Sequence, residues 1–148
     1  MRFILLSLLV LGAGGCAKHG IDTVKDMRAS ACAGDSTGFF NHVDRTELAR
    51  MIRARVVRKA QVELARPDPS AQANFDKRVD AVVATSLNDT FAIWEHEIKR
   101  GPAGDLCLMS IMESSEVGDT ADVHVRNPAD YRWKMARQGD RWMLVGVE

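Results

Sequence analysis

The sequence carries no net charge, because 20 aspartates and glutamates balance its 20 lysines and arginines. A nucleic-acid-binding protein normally has an excess of basic residues that neutralise phosphates, so this balance argues against that class. The chain also lacks the run of about 20 apolar residues that a transmembrane helix requires, because its longest apolar stretch, at the N-terminus, is too short. It does have 46% apolar residues in a length of 148, which is enough for the core of one globular domain.

The first 16 residues have the three parts of an export signal. Arg2 supplies a positive charge, residues 3–11 are apolar with one exception, and small residues then lead to Cys16. This layout resembles the signal of bacterial lipoproteins, in which small or apolar residues precede the modified cysteine. The resemblance implies cleavage after Gly15 and attachment of a diacylglyceryl group to the sulfur of Cys16.

By this resemblance residues 1–15 are a signal peptide, residues 16–20 are a short tether and residues 21–148 form a single domain. Acyl chains such as palmitate on Cys16 would anchor the exported protein in the lipid bilayer of the cell envelope, with each buried methylene contributing about 0.8 kcal/mol. In Gram-negative lipoproteins an aspartate directly after the lipidated cysteine favours retention at the inner membrane. This sequence has Ala17 at that position, so the resemblance favours the outer membrane, facing the periplasm. The alternative is ordinary secretion with cleavage at the same small residues.

Two further cysteines, Cys32 and Cys107, form an even pair. Disulfides persist in exported proteins, so we expect a bond between them. The alternative is two separately buried thiols, which are also common.

Apolar residues at three- and four-residue intervals predict four helices before residue 101. We expect Thr23 with Asp26 to cap the first helix, Asp44 to cap a longer second helix, Ser70 to cap a third, and a fourth helix around Trp94.

From Asp105 onward the apolar residues alternate, which predicts a strand containing Leu106 and Leu108 and three more strands after it. The last two should form a hairpin whose loop has an even number of residues, so that Trp133 and Trp142 face the same side. The predicted class is α+β, with N-terminal helices packed on a C-terminal antiparallel sheet.

Three short motifs, Gly34-Asp35 after the first helix, Tyr131-x-Trp133, and Gly139-x-x-Trp142-x-Leu144 near the end, resemble those of exported bacterial proteins with the cystatin-like, nuclear-transport-factor-2-like fold. The resemblance implies a cone of helices over a curved sheet that often encloses a pocket. It implies no activity, because the fold hosts enzymes, binders and scaffolds.

A pocket of this kind would be lined by residues of the predicted sheet, namely Tyr131, Trp133, Trp142 and His124. The competing interpretation is that alternating aromatic residues on a strand belong to the core.

Few residues suggest catalysis. Glu97 follows His96, as in a zinc-protease motif, but that motif would need a second histidine at the position of Arg100, so we predict no metal site there and no cofactor. Asp122 and His124 lie two residues apart on a strand and therefore face the same side, as an acid/base pair would.

The helix after Asp44 is rich in basic residues, which could contact anionic lipids or a partner, or form a solvated face. They are Arg45, Arg50, Arg53, Arg55, Arg58, Lys59 and Arg66.

The sequence therefore favours a non-catalytic lipoprotein of the cell envelope that binds a small apolar ligand or a neighbouring envelope protein. The alternative is a periplasmic enzyme that uses Asp122 and His124.

Replacing the lipidated residue tests the anchor. In Cys16→Ala, acyl incorporation should be abolished, because the sulfur that accepts the lipid is gone, and the precursor should accumulate or the domain should move to the soluble fraction. Metabolic labelling with a fatty acid and fractionation measure this, and unchanged acylation would reject the assignment.

Overall fold

A computed structural model describes residues 18–63 and 69–148. Its helices precede a four-stranded antiparallel sheet, so the predicted α+β class is confirmed. The signal peptide, Cys16 and Ala17 lie outside the described residues. The elements in chain order are α1 (Gly20–Cys32), α2 (Ser36–Phe40), α3 (Arg45–Glu63), α4 (Pro69–Lys99), a 3-10 turn (Gly101–Ala103), α5 (Asp105–Leu108), β1 (Ser110–Val117), β2 (Thr120–Arg126), β3 (Asp130–Gln138) and β4 (Arg141–Val147).

The cap predicted for α3 is confirmed, because Asp44 accepts a hydrogen bond from the backbone N–H of Glu47 at 2.9 Å. The cap predicted for α1 is wrong. That helix begins after His19, whose N–H donates to the carboxylate of Asp22 at 3.3 Å. Thr23 instead lies inside the helix with 2% of its surface exposed.

The early start of α1 depends on Gly20, which lies against the sheet. A Cβ atom at this residue would lie 2.8 Å from the Cβ of Ala121, so any larger residue would force the helix and sheet apart. This contact involves residues a hundred positions apart, which the local sequence pattern does not reveal.

The two helices predicted between Ser70 and Arg100 form one helix of 31 residues, α4. No glycine or proline interrupts this segment. Thr90, at the expected boundary, donates its hydroxyl to the carbonyl of Ser86 within the helix at 2.8 Å.

The strand predicted from Asp105 is wrong at its start, because Asp105–Leu108 is the short helix α5 and β1 begins at Ser110. The carboxylate of Glu97, at the end of α4, accepts the backbone N–H of Asp105 at 2.7 Å and satisfies a donor at the start of α5. A side chain from another element therefore supports a helix where the local sequence alternates like a strand.

The strands follow one another in the order β1-β2-β3-β4. Gln138 pairs with Arg141 across a two-residue loop, so the predicted even loop is confirmed. Gly139 adopts a φ of +61° in this loop, a conformation that glycine adopts without strain. Trp133 and Trp142 are both buried as a result.

An aromatic cluster joins the helices to the sheet. The ring of Phe39 on α2 lies 5.8 Å from that of Trp94 on α4 and 6.3 Å from that of Trp133 on β3. All three side chains are buried, and such edge-to-face pairs contribute about 0.5–1.5 kcal/mol beyond the burial of their area.

Helix α3 covers the outer edge of β4. Just before the helix begins, the N–H of Asp44 donates to the carbonyl of Leu144 at 2.9 Å. Near the middle of the helix, Arg55 donates to the carbonyl of Val147. Part of an otherwise open strand edge is thereby satisfied. Within the described part of the chain, no helix combines the length and the apolar composition needed to cross a membrane.

A disulfide joins Cys32 at the end of α1 to Cys107 in α5, with the Cα atoms 4.7 Å apart, which is consistent with the bond expected from the sequence. It closes a sequence separation of 75 residues.

Removing this disulfide should lower the free energy of unfolding by about 4 kcal/mol, because the unfolded chain loses a long closed loop. We expect this loss in the double variant Cys32→Ala, Cys107→Ala, measured by urea denaturation. A reducing agent should lower the free energy of unfolding of the wild type to nearly that of the variant, and it should leave the free energy of unfolding of the variant unchanged. A wild-type transition that does not respond to reduction would contradict the bond.

Candidate functional site

The principal candidate site is a cavity of about 200 Å³ that opens between α4, α5 and one end of the sheet. Its rim includes two exposed apolar side chains, Ile93 on α4 and Tyr131 on β3, which are 61% and 42% exposed. It is lined by Ile93, Trp94, Glu97, Asp105, Leu106, Met109, Val125, Asn127, Pro128, Tyr131, Trp133 and Val147. The cavity is mostly apolar with a few polar groups, as in many small-molecule sites.

The residues proposed from the sequence are divided between two faces and the core. Tyr131 and Trp133 line the cavity. Trp142 is instead buried in the core, where its indole N–H donates to the carbonyl of Lys18 at 2.7 Å. His124 lies on the opposite face of the sheet, because its neighbours Val123 and Val125 point inward.

Sequence reasoning missed the helical side of the cavity. Trp94 and Ile93 come from α4, and the ring of Trp94 lies 6.3 Å from that of Trp133 at a 40° angle. The apolar face that contains Trp94 indicated only that this helix is buried on one side, without identifying the element that covers it. Which strand it meets is decided by the way the chain folds back.

The polar part of the wall consists of Glu97, Asp105 and Asn127. Besides accepting the N–H of Asp105, Glu97 pairs with Arg100 at 2.9 Å. The Asp105 N–H and, to a smaller extent, the guanidinium hold the pKa of Glu97 below its ordinary value of 4.5. Asn127 donates its side-chain amide to the carbonyl of Asp105 at 2.9 Å, which ties the β2–β3 turn to α5.

Asp122 and His124 share a second, shallow cavity of about 250 Å³ on the outer face of the sheet. Each has its own partner there. Asp122 accepts a hydrogen bond from Lys134 at 2.8 Å, and this bond raises the pKa of Lys134. One ring nitrogen of His124 lies 3.2 Å from the carboxylate of Asp130. The two residues share a face, as predicted, but each is bound to a different neighbour.

Most basic residues of α3 whose contacts are described are engaged within the protein. The guanidinium of Arg45 lies 4.6 Å from the centre of the Phe91 ring, and Arg55 donates to the backbone of β4. Two more form ion pairs, Arg50 with Glu47 and Arg53 with Asp80. Arg66 lies outside the described residues. These contacts favour an architectural role for much of this charge.

Among the described residues, no group of three or more histidine, cysteine, aspartate or glutamate side chains is arranged to hold a metal ion. His96 is exposed on α4.

The first described residues lie at the end of the sheet opposite the cavity. Lys18 is bonded to Trp142 at the start of β4, and Gly20 packs near Ala121 at the start of β2. The cavity is lined by Val125 near the end of β2 and by Val147 at the end of β4. Val125 lies four residues after Ala121, and Val147 lies five residues after Trp142. At about 3.3 Å per residue the two regions are therefore roughly 13–17 Å apart along the strands.

No protein-family model matches this chain, and no curated protein sequence or solved structure shows significant similarity to it.

Glu97 should contribute to stability because its carboxylate is only 14% exposed and accepts the N–H of Asp105. We expect Glu97→Gln to lower the free energy of unfolding at pH 7 by about 1–2 kcal/mol, because a hydrogen bond to a charged group contributes about 1.5–3 kcal/mol and one between neutral groups about 0.5–1.5 kcal/mol. Glu95→Gln, which removes an exposed partner of Lys99, should cost much less.

The pH dependence of this contribution follows from the sign of the pKa shift. Folding lowers the pKa of Glu97, so its contribution is fully present above its ordinary pKa of 4.5 and is lost as the pH falls through the lower value of the folded state. Urea denaturation at pH 7 and in this acid range measures the effect. Equal losses for the Glu97 and Glu95 variants would contradict the assignment.

Proposed function

We propose that this protein is a lipoprotein of the cell envelope, anchored through Cys16, whose folded domain binds a small and largely apolar ligand without transforming it. The single observation that supports this proposal most is the position of the cavity. It opens at the end of the sheet opposite Lys18, where the described chain begins.

The short distance between the proposed anchor and the fold gives this position its meaning. Lys18 is only two residues after Cys16, and two extended residues span about 7 Å. Its carbonyl is bonded to Trp142, and its ammonium group pairs with Asp26 at 2.6 Å. A domain held in this way would keep the end that carries Lys18 at the bilayer and its cavity roughly 15 Å farther away, facing water. The ligand would then arrive from the aqueous side.

The disulfide supports the proposed location, because bonds of this kind persist in oxidising compartments outside the cytosol. The arrangement of helices on an antiparallel sheet is also compatible with the cystatin-like, nuclear-transport-factor-2-like fold, and we include membership of that fold in the proposal. In that fold a pocket between helices and sheet is a frequent feature, and the cavity beside Trp94 and Trp133 has this position.

One observation favours a second function, a periplasmic enzyme that uses the outer face of the sheet. Asp122 and His124 line the same shallow cavity together with Glu113 and Arg132. Asp122→Ala and His124→Ala distinguish the two functions. Loss of the cellular phenotype in folded variants would favour catalysis, whereas a retained phenotype would favour binding in the other cavity.

Filling the cavity tests the binding function. Val147 lines the cavity and Val145 does not, although both lie on β4. In Val147→Phe the added ring should overlap the ligand, and an overlap costing about 1–3 kcal/mol would lower the affinity roughly tenfold or more. Val145→Phe is the matched control.

The measurement is native mass spectrometry of the full-length protein extracted in a mild detergent, which should show a bound small molecule in the wild type and the control. Equal loading of both variants would contradict binding in this cavity. An empty wild type that crosslinks stoichiometrically to one neighbour in intact cells would instead favour a role in assembly.

A further inference from the structure

The charge of the cavity wall indicates which kind of ligand it can hold. Of the twelve residues that line it, two are acids, Glu97 and Asp105, and none is lysine, arginine or histidine. An anionic ligand such as a fatty acid would meet carboxylates and no compensating base. A cation would meet favourable charge.

The two carboxylates differ in how far the protein neutralises them. Glu97 is paired with Arg100. Asp105 forms no salt bridge with any other residue in the described ranges, while its backbone is fixed on both sides by bonds to Glu97 and Asn127. Arg126, which lies beside Asn127 in sequence, is already bound to Asp130 at 2.6 Å. Asp105 therefore contributes to the wall an exposed carboxylate that forms no ion pair within the described ranges and is carried on a fixed backbone.

Aromatic rings provide the second attraction. Trp94, Tyr131 and Trp133 line the same cavity. The two indoles pack against each other, with their ring centres 6.3 Å apart at an angle of 40°, and are 9% and 3% exposed, so the ring of Tyr131, which is 42% exposed, presents the largest aromatic surface to a ligand. An ammonium group with alkyl substituents is attracted electrostatically to the faces of such rings. Because this cation is weakly hydrated, its desolvation costs little free energy when it enters an apolar site.

We propose that the cavity binds a small organic cation, an ammonium group carrying apolar substituents, with Asp105 and the aromatic wall as its recognition elements. This inference rests on the proposed binding function and names the class of its ligand. A volume of about 200 Å³ limits the ligand to a small molecule.

Three probes of nearly the same shape separate charge from size. Choline carries a trimethylammonium group, neohexyl alcohol replaces its nitrogen with carbon, and tert-butylacetate presents the same carbon group on an anion. Each is titrated into the full-length protein in an uncharged maltoside detergent. The readout is the NMR signals of the indole N–H groups, where Trp94 and Trp133 report on the cavity and the buried Trp142 serves as an internal reference.

We expect choline to shift the signals of Trp94 and Trp133 and to bind roughly threefold to thirtyfold more tightly than neohexyl alcohol, the range for cation–π attraction. Tert-butylacetate should bind more weakly than either. Equal affinities for choline and the neutral alcohol would overturn the preference for a cation, and tighter binding of the anion would overturn it as well.

Variants assign the effect to residues. Asp105→Asn should weaken choline binding about threefold to tenfold and leave the binding of neohexyl alcohol unchanged, because only a charge is removed. Asp89→Asn, at an exposed carboxylate on α4 outside the cavity, is the matched control. Tyr131→Leu should also weaken choline binding, because it removes a ring from the rim. Equal affinities in Asp105→Asn and Asp89→Asn would overturn the role of Asp105.

The two proposals can fail separately. If the protein carries a small molecule that Val147→Phe displaces but shows no preference for choline, the binding function stands and the assignment of a cation is overturned. If choline binds at Trp94 and Trp133 but the protein from cells carries nothing, the cation preference stands and the cellular role as a ligand carrier is contradicted.

Discussion

The packing of Phe39, Trp94 and Trp133 is the interaction on which the rest of this structure depends. These rings come from α2, α4 and β3, so their contacts join two of the helices to the sheet. The same contact also creates the cavity, because two of the three rings form part of its wall. The same side chains therefore stabilise the fold and line the candidate site. Replacing Trp94 or Trp133 by a much smaller residue would destabilise the fold and alter the cavity.

Around this cluster, several connections hold α5 in place. The disulfide ties Cys107 to the end of α1, and Glu97 at the end of α4 accepts the N–H of Asp105. Because α5 carries Asp105 and Leu106 on the cavity wall, the connections that stabilise the fold also position the polar edge of the site. A wall fixed by covalent and hydrogen bonds is preorganised, so less conformational entropy is lost when a ligand binds.

The distribution of charge separates the two faces of the sheet. On the outer face acids and bases alternate and satisfy one another, as Asp122 does with Lys134 and Asp130 with Arg126. The residues that line the cavity include two acids and no lysine, arginine or histidine. A balanced total charge, which argues against a nucleic-acid partner, is therefore compatible with a local negative site. Net charge describes the whole chain, whereas recognition depends on the few charges within a Debye length of the ligand.

The sequence by itself determined the features that depend on neighbouring residues. Asp44 caps α3 because its side chain reaches the N–H three residues later, and the two-residue loop at Gly139 sets the register that buries Trp133 and Trp142 together. The order of helices before strands follows from the same local periodicities.

Only the tertiary structure decided where distant residues meet. It set the start of α1 at the contact of Gly20 with Ala121, and it made α5 a helix by supplying Glu97 as its partner. It brought Trp94 to Trp133 and turned His124 away from them. The physical reason is that hydrogen-bond partners and cavity walls are chosen by packing between elements far apart in the chain, while sequence periodicity reports only which face of an element is buried.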